Sequence, residues 1–146
     1  MATGWAIAVG LIIVAAAAAG TGVATGSAGI IAAMAAAIQS FEGWRPGSVS
    51  FRNNNPGNLK YANQKGAVGC DAGGFAVFPT YEAGRQALCT QLAMAFNGTS
   101  RVYTPEDTLY NFFSKYTEGD SIPYANFVAD KLGVTAHTRL KDIAPA

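Results

Sequence analysis

Ile38-Gln-Ser-Phe-Glu-Gly-Trp-Arg-Pro-Gly-Ser-Val-Ser-Phe-Arg-Asn-Asn-Asn-Pro-Gly-Asn-Leu59 is where the chain changes character. Before it, the apolar positions Ile30, Ile31, Met34, Ile38 and Phe41 recur at helical spacing. That period predicts a helix capped by Ser27 and closed at Gly43, a residue that accepts left-handed backbone at a helix end. After it, the prolines and glycines between Trp44 and Pro79 and the polar run Arg52 to Asn58 forbid long helices. Loops and short strands are expected there, with Phe75-Ala-Val-Phe78 the best strand candidate. Glu42 sits at the junction, on the last helical turn.

Toward the N-terminus the charge disappears. The 146 residues carry 10 Lys and Arg against 9 Asp and Glu, and all of them lie beyond Phe41. A net charge of +1 with no basic run leaves nothing that would track a phosphate backbone, so nucleic-acid binding is not expected. Gly4 to Gly26 is free of charge and proline. As a helix it would reach about 34 Å against a bilayer core of about 30 Å. Residues 1–26 are therefore expected to be an apolar membrane-anchoring helix, inserted through residues 4–26, with residues 27–146 a separate folded domain. A secretory leader competes, since Ala17-Ala18-Ala19 would suit cleavage, but no basic residue precedes the apolar core. Gly22 and Gly26 have the small-xxx-small spacing of closely packed membrane helices, which makes the segment a candidate for homo-oligomer or virion assembly.

Toward the C-terminus three more helices are expected. Thr80 opens one that carries Leu88, Leu92 and Phe96 and stops at Asn97-Gly98. Thr104-Pro-Glu-Asp107 opens the next, with Thr104 as cap, Pro105 in the first position, and Leu109, Phe112, Phe113 and Tyr116 on the apolar face. The last runs from about Pro123 to Leu132, points Tyr124, Phe127, Val128 and Leu132 inward, and ends at Gly133. The fold class is mostly α, an α+β domain in which a Gly/Asn/Pro-rich loop with short strands separates the first domain helix from the rest.

Chemistry concentrates at the junction. Glu42 is the only ionisable side chain in the first 44 residues, and it is followed by Gly43 and the aromatic Trp44. A carboxyl held against apolar surface has its charged form disfavoured and stays a proton donor nearer neutrality, as a general acid must. Asn53, Asn54, Asn55 and Asn58 offer amide donors and acceptors on a backbone stiffened by Pro56 and turned by Gly57, a pattern suited to sugar hydroxyl and acetamide groups. An Asn-rich turn bonding its own backbone is the other reading of the same residues. Trp44, Tyr61 and Phe75 are candidates to stack on sugar faces or to be core, and for Phe75 the core is the expected place, because strand alternation would bury Phe75 or Phe78. One histidine, His137, and two distant cysteines make no zinc site, and no cofactor motif is present. Cys70 and Cys89 could pair as one disulfide in an oxidising compartment or remain free thiols.

Residues Ile38 to Leu59, then Gly74-Phe-Ala-Val-Phe-Pro-Thr-Tyr-Glu-Ala-Gly84, resemble the lysozyme-like domains of phage and bacterial peptidoglycan-cleaving proteins, relatives of goose-type lysozyme and soluble lytic transglycosylases. Thr104 to Leu109 and Tyr124-Ala-Asn-Phe-Val-Ala-Asp-Lys-Leu-Gly-Val134 resemble the closing helices of that family, so the likeness spans about residues 28–143. It implies that Glu42 is the catalytic acid cleaving the bond between N-acetylmuramic acid and N-acetylglucosamine. It further implies that Asn53 to Asn58 border the sugar cleft, that Tyr124 faces the site, and that the partner is a peptidoglycan glycan strand. With the apolar segment, this points to an enzyme anchored in a virion membrane or facing the bacterial periplasm.

Mechanism then turns on a second carboxylate. A hydrolase places one across the scissile bond, about 6.5–9.5 Å away for inversion or about 5–5.5 Å for retention. A lytic transglycosylase needs only one, because the sugar's own 6-hydroxyl attacks to give a 1,6-anhydro product. Asp71 is the only acid between Trp44 and Pro79 and so the candidate second carboxylate, although Asp-Ala-Gly-Gly is also an ordinary turn. A rival of another class is a membrane or virion structural protein that keeps the fold without turnover.

Overall fold

The computed structural model describes residues 22–143. In chain order the elements are α1 (Gly22–Phe41), the single turn α2 (Val49–Arg52), β1 (Gly69–Cys70), β2 (Ala76–Val77), α3 (Tyr81–Asn97), α4 (Leu109–Tyr116), α5 (Ser121–Leu132) and a final 3-10 turn (Leu140–Asp142). The described residues are thus mostly helical with one small sheet. α1 packs against both α3 and α5, and α4 packs against α5. Met34 and Ile38 of α1 meet Leu88 and Leu92 of α3 and Phe113 and Tyr124 of α4 and α5 in one core.

Caps explain most of the boundaries. Thr80 caps α3 by accepting from the Ala83 N–H, and Gly98 closes that helix at φ 81°. Gly133 closes α5 at φ 72°. Two start sites differ from expectation. α1 runs unbroken through Ser27, which is therefore inside the helix and not its cap. α4 begins four residues later than Thr104 would place it, because Thr108 and Asn111 satisfy the first turn reciprocally in a capping box. Thr104 to Asp107 is instead a turn, in which the Thr104 N–H donates to the Asp107 carboxylate. Glu106 and Asp107 are held there by cations, Glu106 by Lys141 at 2.9 Å and Asp107 by Lys115 at 2.8 Å, and not by a helix N-terminus.

The hairpin pairs Gly69 with Val77 and Cys70 with Ala76, antiparallel, and an isolated bridge joins Lys60 to Phe75. Alternation buries Ala76 and Phe78 and leaves Phe75 half-buried on the opposite side. The core placement expected for Phe75 therefore belongs to Phe78. Cys70 and Cys89 do not pair: Cys89 is buried on the inner side of α3, whereas Cys70 is exposed on the hairpin. Phe41 is also more exposed than its helical position implies, because it lies past the last fully covered turn of α1.

Of the expected Gly4–Gly26 span, only Gly22–Gly26 falls among the described residues, and the division at residues 26 and 27 falls inside α1. Among the described residues, no helix is long and apolar enough to cross a membrane.

Candidate active site

The end of α1 sets the position of Glu42. The Gly43 N–H donates to the Ser40 carbonyl and the Trp44 N–H to the Gln39 carbonyl, with Gly43 at φ 71°, which is the paired bonding of a Schellman motif. Glu42 is therefore the last residue before the chain reverses, and its side chain leaves the helix toward the space between the Asn loop and α5. Two groups meet it there. The Tyr124 hydroxyl donates to Glu42 Oε2 at 2.7 Å, and Asn58 Nδ2 donates to Oε1 at 3.3 Å. Burial pushes the Glu42 carboxyl above its ordinary value, and the bonds from Tyr124 and Asn58 oppose that rise. The negative end of the α1 dipole acts in the same direction as burial.

Tyr124 is held more firmly than a residue that binds a passing sugar. Its ring lies between Phe41, 4.0 Å between centroids, and Phe113, 4.4 Å, and only 1% of the residue is exposed. Burial drives its phenol far above the ordinary value, so the hydroxyl keeps its proton and can donate it to the Glu42 carboxylate.

The Asn run divides by role. Asn55 is fully buried; its Nδ2 donates to the Leu59 and Ala76 carbonyls and its Oδ1 accepts from the Leu59 N–H. Asn54, at φ 51°, donates to the Phe78 carbonyl. Asn53 donates to Asp71 Oδ2 at 2.8 Å. These three tie the loop to the hairpin, and only Asn58 reaches the carboxyl. Asn58 Oδ1 is buried and has no partner among the described residues. The loop's position is set by tight packing: a Cβ on Gly84 of α3 would run into the Asn54 carbonyl, and one on Gly57 would come within 2.8 Å of Leu88 and of the Tyr116 hydroxyl. Tyr116 itself donates to the Gly57 carbonyl at 2.6 Å.

Asp71 is a turn residue in this structure. Its Oδ1 accepts from the Gly73 and Phe75 N–H groups at 3.0 and 2.9 Å, and the bond from Asn53, followed by that from Phe75, holds its carboxyl below the ordinary value. Tyr61 is exposed and donates to Asn63, also away from Glu42. Trp44 packs against Phe51 and Tyr81.

A cleft of about 360 Å³ opens at Glu42. Asn58, Lys60 and Phe75 form one wall, and Tyr116 with Thr117 to Gly119, following α4, forms the other. Asp71 and Tyr61 are not in its lining. Lys60 and Glu118 meet across the mouth at 3.3 Å, with the Glu118 side chain 83% exposed. Sequence reasoning missed Lys60, Tyr116 and Glu118, which carry no local motif and become neighbours only when α4 folds back beside the Asn loop. Among the described residues, no three His, Cys, Asp or Glu side chains converge as metal ligands would. No protein-family model matches the chain, and neither a curated protein nor a solved structure is significantly similar to it.

Chemically, the cleft can pass a proton in both directions. Burial favours Glu42 as the neutral acid, while two hydrogen-bond donors stand ready for the carboxylate left after the proton is given up.

Proposed function

We propose that the chain is a peptidoglycan-cleaving enzyme of the lysozyme-like kind, in which Glu42 protonates the glycosidic oxygen between N-acetylmuramic acid and N-acetylglucosamine. The observation that carries this reading is a half-buried carboxyl of raised pKa, held by Tyr124 and Asn58 in the wall of an open cleft. The uncharged N-terminal segment serves as an anchor to a bacterial or virion membrane, with the glycan strand as partner.

The arrangement favours a single-carboxylate route. Asp71 lies outside the cleft lining with both oxygens occupied, and Glu118, its side chain 83% exposed at the mouth, has no fixed position from which to act across the scissile bond. In that route the proton on the Glu42 carboxyl moves to the bridging oxygen as the bond from that oxygen to the muramic C1 breaks. The resulting carboxylate then takes the proton of the muramic 6-hydroxyl as its oxygen bonds to C1. The products are a 1,6-anhydro terminus and a free 4-hydroxyl, and Glu42 is again neutral.

The test is mass spectrometry of fragments released from purified peptidoglycan by the full chain and by its Glu42→Gln variant. Anhydro-terminated fragments from the native chain alone are expected. Reducing termini would replace the transglycosylase route with hydrolysis and bring Glu118 and Asp71 back as second carboxylates. No fragments from a folded native chain would end the catalytic reading and leave a structural membrane or virion protein.

A further inference from the structure

Phe75 is an aromatic ring that the fold leaves in an unusual position. It stands next to the buried Ala76 yet faces the cleft that contains Glu42. Gly73 of its own hairpin lies against the ring, so closely that a Cβ there would come within 3.2 Å of its Cδ2. The Lys60 ammonium sits over the ring face, 4.0 Å from its centre. That ammonium also donates to the Gly73 carbonyl at 3.2 Å and pairs with Glu118 at 3.3 Å.

None of these contacts makes Lys60 a permanent cover. Both charged side chains are well exposed, 47% for Lys60 and 83% for Glu118, and such pairs contribute about 0–1 kcal/mol. An exposed cation over an aromatic ring adds about 0.5–1 kcal/mol. A ligand that offers an apolar face to the ring can therefore displace a long, flexible side chain at small cost. A pyranose has such a face, formed by its axial C–H groups, and hydroxyls around its rim that suit the polar remainder of the wall.

We propose that Phe75 is the platform of a sugar-stacking subsite beside Glu42, and that Lys60, tethered to Glu118 across the cleft mouth, covers this platform until a glycan displaces it. The proposal rests on the glycan reading above and extends it to a particular subsite and a competing side chain. Of the three aromatic candidates for stacking, it selects Phe75. Trp44 is packed against Phe51 and Tyr81, and Tyr61 lies outside the cleft lining.

The experiment is calorimetric titration of a N-acetylglucosamine hexasaccharide into the full chain. Every protein carries Glu42→Gln so that binding is read without cleavage, and thermal unfolding verifies the fold of each variant. Phe75→Ala and Phe75→Leu are expected to weaken binding at least about tenfold, whereas Phe75→Trp keeps it, because Leu supplies apolar bulk without a flat face. Lys60→Met is expected to tighten binding about threefold, the scale of a lost surface ion pair. Rising salt should tighten binding with Lys60 present and have little effect without it. Unchanged affinity in Phe75→Leu, or weaker binding in Lys60→Met, overturns the subsite while leaving the glycan reading standing. No binding by the parent chain overturns the subsite, and fragment release from peptidoglycan decides the glycan reading separately.

Discussion

The Glu42 carboxyl gives up hydration to sit in the cleft wall, and two pH effects follow. Below about 4.5, its ordinary value, the group is neutral in folded and unfolded chains alike and costs the fold nothing. As pH rises from there through the raised folded value, the unfolded chain ionises first, and stability is lost over that window. Glu42→Gln should therefore gain stability relative to the native chain on going from pH 4 to pH 7, measured as the difference in urea midpoint at the two values. A midpoint difference that shrinks over that range would contradict the burial argument. Activity should show the same group as its basic limb, because the acid must be protonated to act. Tyr124→Phe removes a donor that favours the carboxylate, so that limb should move alkaline in a pH profile of fragment release. A purely structural role for Tyr124 would lower activity without moving it.

The helices and the Asn loop are coupled by backbone approach more than by side-chain bulk. Gly84→Ala would drive a methyl group into the Asn54 carbonyl, and because the obstacle is backbone, α3 or the loop must shift. The cost should exceed the ~1–3 kcal/mol of ordinary overpacking and show in denaturant unfolding. Asn55→Ala tests the hairpin attachment from the other side, taking the Asn55 partner from the Leu59 N–H and the Ala76 carbonyl at about 1–3 kcal/mol each, while the Leu59 carbonyl keeps its bond from the Ala76 N–H. Several of these elements were legible in advance. The stops at Gly43, Gly98 and Gly133 and the cap at Thr80 rest on local chemistry, and local chemistry is read from neighbours in sequence. Thr104 was misleading because its signal competed with a second Thr four residues on, and the reciprocal bond to Asn111 decided between them.

In the whole molecule, one core joins α1, α3, α4 and α5, and the site lies where that core meets the Asn loop. Phe113 is fully buried and stacks on Tyr124, so Phe113→Ala should cost about 3–5 kcal/mol and loosen the tyrosine that holds Glu42. The cysteines report the same core. Cys70 should react with a thiol reagent in the native chain, and Cys89 only after unfolding, since it is buried and its thiol is pushed above the ordinary value by that burial. Equal reactivity of both in the native state would contradict the packing of α3.

The helical period, the uncharged first 41 residues and the Glu-Gly helix end were all readable from the chain alone, because each depends on residues within a few positions of one another. The candidate acid belonged to that set. Which amides serve the cleft did not: Asn53, Asn54, Asn55 and Asn58 look alike in sequence, and the hairpin folding back onto them consumes three and leaves the fourth for Glu42. Tyr124 lies 82 residues from Glu42 and reaches it only because α5 packs on α1. Alternation in a two-residue strand placed Phe78 in the core and Phe75 in the cleft, a choice between two phenylalanines that needed the strand's partner to be known. Burial, and with it the shifted carboxyl, is a property of what surrounds a residue in space, and here most of those surroundings come from distant parts of the chain.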